Sequence, residues 1–253
     1  MSAVAYERRG AGEALVLVHP LGGDRHSWDP VLDGLAAERD VIAVDLPGFG
    51  DSDPLAEPPK PTPRALMVAL GGLLDELGIE RAHVAGNSLG AWVALELALA
   101  GRARSVTALC PAGLWPAPLA PRLGAARQVA RLALPLVPLL VWRPGGRRLA
   151  LAATVARPER VPASDAARMI RAYARAPGFD AVNAAMRAGR FEGLERIRVP
   201  VTLAWGERDR LVAPPRHVPT TVRQVVLRGC GHLPMWDDPA AVTRLLLSMS
   251  ATS

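Results

Sequence analysis

Short apolar runs without polar alternation recur along this chain, and helical patterns separate them. Such runs are typical of parallel strands that are covered by helices on both faces. Strands are predicted at residues 15–18, 41–44, 82–85, 105–109, 201–205 and 223–227. Helices are predicted at residues 63–77, 89–100 and 239–249. The alternation predicts an α/β fold with a mostly parallel central sheet flanked by helices.

One segment interrupts this alternation. Residues 114–190 contain no convincing strand and are predicted to form several short helices, inserted into a core of residues 1–113 and 191–253. The segment has 13 arginines against three acidic residues. Arg168, Arg171 and Arg175 are predicted to share one helical face. That face is either a solvated polar surface or one that attracts an anionic substrate or an acidic surface.

Composition narrows the class of protein. The chain has 253 residues, of which 50% are hydrophobic, enough for a large core without a disulfide or metal. Its formal net charge is +6. Lys60 is the only lysine, and this one-sided use of arginine indicates a coding bias more than selection for phosphate contacts. Because no nucleic-acid motif is present, no nucleic-acid partner is predicted.

The cysteines and the N-terminal residues indicate the cellular compartment of the protein. Cys110 and Cys230 form no CxxC pair, the five histidines are scattered, and free thiols without a metal site are predicted. The first residues lack the apolar core of a secretion signal. The uncharged run at residues 132–142 is far shorter than the roughly 20 residues of a spanning helix. A cytoplasmic protein without a membrane span is therefore expected, and its oligomeric state is left open.

The strongest local signal is the sequence Gly86-Asn87-Ser88-Leu89-Gly90. It directly follows a predicted strand and opens a predicted helix, which is the context of a nucleophile elbow. The Ser88 hydroxyl would then lie above the carboxyl ends of the strands, beside a helix N-terminus that favours negative charge. Ser88 is the candidate nucleophile.

A serine nucleophile needs a base and an orienting acid. His232 follows the last predicted strand and is the candidate base. Asp209 follows the preceding strand and is the candidate acid, with Glu207 as its main competitor. Asp237 and Asp238 are closer to His232 in sequence, but their position predicts the N-cap and first turn of the final helix.

An acyl-transfer reaction also needs donors for its oxyanion. The backbone N–H of Leu89 is one candidate. The backbone N–H of Leu21 is the other, in the loop His19-Pro20-Leu21-Gly22-Gly23 after the first clear strand.

These motifs together resemble the α/β-hydrolase fold superfamily over essentially the whole chain. Ser88, Asp209 and His232 occur in the family's order of nucleophile, acid and histidine, and residues 45–52 are similar to its D-x-P-G-x-G-x-S loop. The resemblance implies that residues 114–190 are the cap and that His19 is a structural residue under the elbow. Two features depart from the family: proline follows His19, and the first strand is shortened or missing.

The resemblance implies a serine hydrolase that cleaves a carboxylic ester or related carbonyl bond of a small to medium hydrophobic substrate, without a cofactor. A serine at the elbow argues against haloalkane dehalogenases and epoxide hydrolases, which place an aspartate there. Asn87 and Trp236 are similar to residues of the carbon–carbon bond hydrolases of aromatic-ring degradation and are candidate substrate-binding residues. Such a hydrolase, a thioesterase and a slow-turnover ligand sensor that retains the triad remain alternatives.

Overall fold

A seven-stranded sheet forms the centre of the molecule. The computed structural model describes residues 4–55, 60–120 and 125–250. Within them the strands are β1 Tyr6–Arg9, β2 Ala14–Val18, β3 Asp40–Val44, β4 Ala82–Asn87, β5 Ala103–Leu109, β6 Val201–Gly206 and β7 Arg223–Leu227. Their order across the sheet is β1-β3-β2-β4-β5-β6-β7.

Helices cover the sheet and fill the insertion. In the same described ranges they are α1 Asp29–Ala36, α2 Pro63–Glu76, α3 Leu89–Leu99, α4 Ala125–Ala133, α5 Val137–Trp142, α6 Pro144–Leu151, α7 Ala163–Arg175, α8 Phe179–Ala188, α9 Pro234–Asp237 and α10 Pro239–Ser250. None of these helices is long and apolar enough to cross a membrane.

The strands run parallel except at one edge. β2 to β7 pair with parallel neighbours, so the predicted fold class is confirmed. β1 pairs antiparallel with β3, with Tyr6 opposite Val44. The first strand, expected to be shortened or missing, is therefore present as a four-residue edge strand. Its Arg8 is joined to Asp40 of β3 by an ion pair of 2.7 Å between Nη2 and Oδ2.

The alternation of side chains along each strand builds two apolar layers. In β2, Val16 and Val18 belong to one buried cluster, while Leu15 and Leu17 belong to the other. Helices α2 and α3 contribute to the first cluster, and α1 and α10 to the second. Because β2 to β6 are almost entirely buried, these strands contain continuous apolar runs, which is why the sequence shows them clearly.

Helices α4 to α8 follow β5 and precede β6 in the chain, where the sequence predicted a helical insertion. The chain leaves and re-enters the core at adjacent points, where the N–H of Phe191 donates to the carbonyl of Gly113 at 2.9 Å. The predicted arginine face is not uniformly solvated, because Arg168 forms ion pairs with Asp29 at 2.6 Å and Asp165 at 2.7 Å. The division into core and cap domains stays a prediction.

Candidate active site

Ser88 lies at a sharp turn between β4 and α3. Its φ is 55°, in the left-handed region that non-glycine residues rarely adopt. The residue is only 7% exposed. A Cβ atom on Gly86 would overlap the carbonyl oxygen of Gly90, and one on Gly90 would overlap the carbonyl oxygen of Val18. Both glycines are therefore required for the close approach of β4, α3 and β2.

His232 and Asp209 form a buried pair above the carboxyl ends of β7 and β6. His232 Nδ1 and Asp209 Oδ2 are 2.8 Å apart, and the side chains are 5% and 3% exposed. The other carboxylate oxygen of Asp209 accepts from the N–H groups of Leu211 at 2.8 Å and Val212 at 3.1 Å. Because the carboxylate can only accept, Nδ1 of His232 carries the proton, and Nε2 has a lone pair for another proton.

The pKa of Asp209 lies below its usual value of 3.8. Burial by itself raises this pKa. The hydrogen bond and charge of His232, together with the N–H groups of Leu211 and Val212, outweigh burial and lower the pKa. Asp209 is therefore ionised at neutral pH and favours the positive form of His232 when the ring takes up a proton.

The competing acids have other partners. Glu207 is exposed, and its Oε2 accepts from the N–H of Gly229 at 2.8 Å. Asp238 accepts from the N–H of Ala241 at 2.9 Å in the first turn of α10, as an N-cap does. None of these contacts involves the ring of His232.

The prediction that Asp237 caps the final helix is wrong, because this residue ends α9 and Asp238 is the cap of α10. Its carboxylate accepts from the N–H of Gly231 at 2.7 Å, and from those of Ala156 and Arg157 at 3.0 Å each. Asp237 thus joins the loop of His232 to the helical insertion. The contacts with the insertion could not be predicted from local sequence, because Ala156 and Arg157 are about 80 residues from Asp237 in the chain.

Asn87 connects the elbow to the histidine loop. Its side chain is fully buried, and Nδ2 donates to the carbonyls of Leu109 at 3.1 Å and His232 at 3.0 Å. Trp236 is half-buried, and its Nε1 donates to the carbonyl of Ser27 at 3.0 Å. Both side chains thus have structural partners, and their roles in substrate binding stay predictions.

The candidate oxyanion loop follows β2. His19 is buried, its Nε2 accepts from the N–H of Leu46 at 2.9 Å, and its Nδ1 donates to the carbonyl of Pro20 at 2.8 Å. Burial lowers the pKa of His19, which keeps the ring neutral. Leu21 comes next in this loop, and Leu89 is the first residue of α3, where the N–H has no intrahelical acceptor.

The helical insertion lies directly on this loop. A Cβ atom on Gly22 would come within 2.8 Å of Tyr173 and 3.1 Å of Phe179. The N–H of Gly178 also donates to the carbonyl of Gly48 at 2.9 Å. Residues of α7 and α8 and the turn between them therefore close one side of the candidate site.

Cys110 is a site residue that the sequence reasoning missed. It directly follows β5 with a φ of 46°, is fully buried, and its Sγ accepts from the N–H of Gly206 at 3.5 Å. Cys110, Asp209 and His232 each have one atom that could bind a metal, and these three atoms lie within 4.8 Å of one another. Burial, then the charge of Asp209, raises the pKa of Cys110 well above its usual value, which favours a neutral thiol over the thiolate that binds metals.

The comparisons with known proteins agree with this architecture. A model described as the alpha/beta hydrolase family matches residues 15–245. The chain is 36% identical over 196 residues to epoxide hydrolase EphH of Mycobacterium tuberculosis, a match that covers 69% of this chain and 88% of that protein.

Two further proteins show how far the likeness extends. The chain is 36% identical over 102 residues to 2-hydroxy-6-oxo-6-phenylhexa-2,4-dienoate hydrolase of Comamonas testosteroni, or 38% of this chain and 35% of that protein. The enol-lactonase from Burkholderia xenovorans LB400 matches with a TM-score of 0.78 over 99% of this chain and 97% of that chain. At 22% identity the second likeness shows the fold alone.

Proposed function

The chain belongs to the alpha/beta hydrolase family, and we propose that it is a serine hydrolase that cleaves a carboxylic ester or a related carbonyl bond. The observation that carries this proposal is the buried pair of His232 and Asp209, 2.8 Å apart. It lies at the sheet edge where Ser88 occupies a strained turn. A serine in a strained turn and an oriented imidazole at the same edge of the sheet are the groups that acyl transfer requires.

The residues divide the work of this reaction. Nε2 of His232 takes the proton of Ser88 as the hydroxyl attacks the carbonyl carbon, and Asp209 stabilises the resulting imidazolium. The N–H groups of Leu21 and Leu89 stabilise the oxyanion. His232 then protonates the leaving group and activates a water molecule, which releases the acid and restores Ser88.

Serine at the elbow favours acyl chemistry over epoxide opening. Attack of Ser88 on an epoxide carbon would leave an ether, which has no carbonyl carbon for a water molecule to attack. Attack on an ester leaves an acyl-enzyme, which water hydrolyses. The name of the EphH relative therefore does not decide the reaction of this chain.

We assign residues 114–190 to a cap over the site. Ser88 and His232 are only 7% and 4% exposed, so a substrate needs an opening between the insertion and the core. Tyr173 and Phe179 lie against Gly22 of the candidate oxyanion loop, so their apolar rings favour a hydrophobic acyl group.

The proposal is tested by Ser88→Ala. We expect this variant to lower the turnover of p-nitrophenyl acyl esters by about 10⁴-fold or more, because the nucleophile is lost. Ser248→Ala is the matched control, since Ser248 is exposed on α10 and donates only to the carbonyl of Leu245 at 2.9 Å. Circular dichroism checks that both variants fold. Unchanged esterase activity in Ser88→Ala would refute the assignment.

Carbon–carbon bond hydrolysis is the second candidate, favoured by the likeness to the Comamonas dienoate hydrolase. A panel of acyl esters of increasing chain length, a thioester and a vinylogous 1,5-diketone separates the candidates by kcat/KM. Preference for the diketone would replace the ester proposal. A fluorophosphonate that labels Ser88 without turnover of any substrate would instead indicate a ligand sensor.

A further inference from the structure

The first helices of the insertion expose a row of large apolar side chains. We define the outer cap face as Val129, Leu132, Leu136, Leu139 and Trp142, whose exposed fractions are 65, 81, 63, 76 and 76%. Successive members are three or four residues apart through α4, the 3-10 turn after it and α5, so they share one side of a nearly continuous helical segment.

The opposite side of the same segment is also apolar. Val137 and Val141 are 0% and 1% exposed and belong to a buried cluster of the core. At α5 the segment is therefore apolar both toward the protein and toward solvent, whereas α4 directs Arg127 inward. A soluble surface helix usually has one polar face, and a helix that is apolar all round is normally covered by protein or lipid.

The chain segment that carries this face has charges of one sign only. Residues 97–158 contain no aspartate or glutamate and nine arginines. Arg131, Arg143 and Arg148 are exposed and stand beside exposed apolar residues in sequence. Arg148 faces Glu159 at 3.3 Å on an exposed surface, whereas Arg143, next to Trp142, forms no ion pair with any described residue.

We propose that the outer cap face docks on an anionic lipid surface. The apolar side chains would enter the boundary between headgroups and acyl chains, and Arg131, Arg143 and Arg148 would contact lipid phosphates. Trp142 suits this depth because its ring is apolar and its indole N–H is polar. The segment lies on the membrane and does not span it, since no described helix is long enough to cross.

Charge argues against a second copy of the chain as the occupant. Two outer cap faces placed together would oppose arginines with arginines, and residues 97–158 offer no carboxylate to pair with them. An anionic bilayer supplies the missing negative charge without any specific partner residue. This proposal does not depend on the chemistry of Ser88.

Co-sedimentation with lipid vesicles tests the proposal. We expect the wild-type protein to bind phosphatidylcholine vesicles containing about 30% phosphatidylglycerol at least about tenfold more tightly than pure phosphatidylcholine vesicles. The triple variant Leu136→Ser, Leu139→Ser, Trp142→Ser is expected to weaken binding to the anionic vesicles at least about tenfold, because apolar burial is lost. The double variant Arg143→Ala, Arg148→Ala is expected to weaken it roughly tenfold and to leave pure phosphatidylcholine unaffected.

Matched controls come from exposed valines outside the insertion. Val68 on α2 and Val226 on β7 are 63% and 64% exposed, so Val68→Ser and Val226→Ser should bind the vesicles like the wild type. Brominated lipids provide a readout that needs no folding-sensitive variant. They should quench Trp142 in the wild-type protein, and Trp142→Phe should lose that quenching while it retains binding.

Three results overturn the proposal. The first is wild-type protein that binds neither vesicle. The second is a valine control that weakens binding as much as the triple variant does. The third is a concentration-dependent dimer, seen by analytical ultracentrifugation, that the triple variant makes monomeric while the wild type ignores lipid. That last result would assign the face to a second copy of the chain.

Discussion

At the scale of single residues, backbone strain is concentrated at the candidate site. Ser88 and Cys110 are the non-glycine residues with positive φ among the described ones, and they directly follow the neighbouring strands β4 and β5. Such strain costs about 1–3 kcal/mol per residue and persists only where the surroundings enforce it. Here the N–H of Ser88 donates to Leu109 at 2.9 Å, and that of Cys110 to Ala204 at 2.7 Å.

The choice of acid can be tested at the same scale. Asp209→Asn should lower kcat about 10³- to 10⁴-fold, because an amide in this position favours the wrong tautomer of His232 and cannot stabilise its cation. Glu207→Gln is the matched control, since Glu207 is exposed and bonded to Gly229, and we expect less than about a threefold change. Steady-state kinetics with a p-nitrophenyl ester measures both. A larger loss in Glu207→Gln than in Asp209→Asn would transfer the role to Glu207.

The two cysteines should be unreactive in the native protein. Burial, followed by the charges of Asp237 and Asp238, raises the pKa of Cys230 to about 11, and the pKa of Cys110 also lies well above its usual value. Because the thiolate is the reactive form, Ellman's reagent at pH 8 should detect almost no thiol in native protein and both thiols after unfolding in guanidinium. Rapid labelling of native Cys110 would contradict its described environment.

At the scale of elements, α3 is almost entirely buried against the sheet. Nine of its residues are buried, so it has no polar face toward solvent. Its first turn must contact both β4 and β2, and this contact sets the height of Ser88 above the sheet. Proline after His19 does not disturb this arrangement, because the side-chain hydrogen bonds of His19 to Leu46 and Pro20 are both formed.

Substitutions at two helical glycines separate the effect of a steric clash from that of helix propensity on the stability of the protein. Gly90→Ala should destabilise the protein by about 4 kcal/mol or more, because its Cβ would overlap the backbone of Val18. Gly71→Ala in α2 should instead stabilise it by about 1 kcal/mol, since the nearest atom to its Cβ is a guanidinium nitrogen of Arg102 at 3.9 Å. Urea unfolding followed by circular dichroism measures both changes. Equal effects would show that helix propensity alone decides the outcome.

At the scale of the whole molecule, a buried arginine connects α4 to α7 and α8 within the insertion. The Arg127 side chain is 2% exposed and donates to the carbonyls of Tyr173 and Ala176 and to Asp180. Its guanidinium lies 5.0 Å from the ring centroid of Phe179. Burial lowers the pKa of Arg127. These contacts connect α4, which contributes to the outer cap face, to the part of the insertion that touches the candidate site.

Removing this link should loosen the insertion. Arg127→Ala leaves two carbonyls without their donor and should cost about 2–4 kcal/mol. Asp180→Asn is the matched control and should cost about 1 kcal/mol or less, because Asp180 is 64% exposed. Limited proteolysis reads out the difference: Arg127→Ala should be cut within residues 125–188 faster than Asp180→Asn. Equal cutting rates would show that Arg127 does not hold the insertion together.

Local sequence patterns predicted six of the seven described strands, the turn at Ser88 and the chain order of the candidate site residues. Strands buried on both faces leave continuous apolar runs, and a glycine-flanked serine between such a run and a helix has few other interpretations. The antiparallel edge strand β1 was harder to predict, because its four residues form no apolar run. Three of them are exposed and Glu7 is half-buried.

Contacts between distant segments depend on the tertiary structure. It directs Asp209, and not Glu207, toward His232, turns Asp237 into an acceptor for three backbone N–H groups, and brings the thiol of Cys110 to the same place. It also decides which side of an apolar segment is buried: Val137 faces the core while Leu139 faces solvent. The physical reason is that hydropathy and turn preferences are local, whereas side-chain direction depends on how the elements pack.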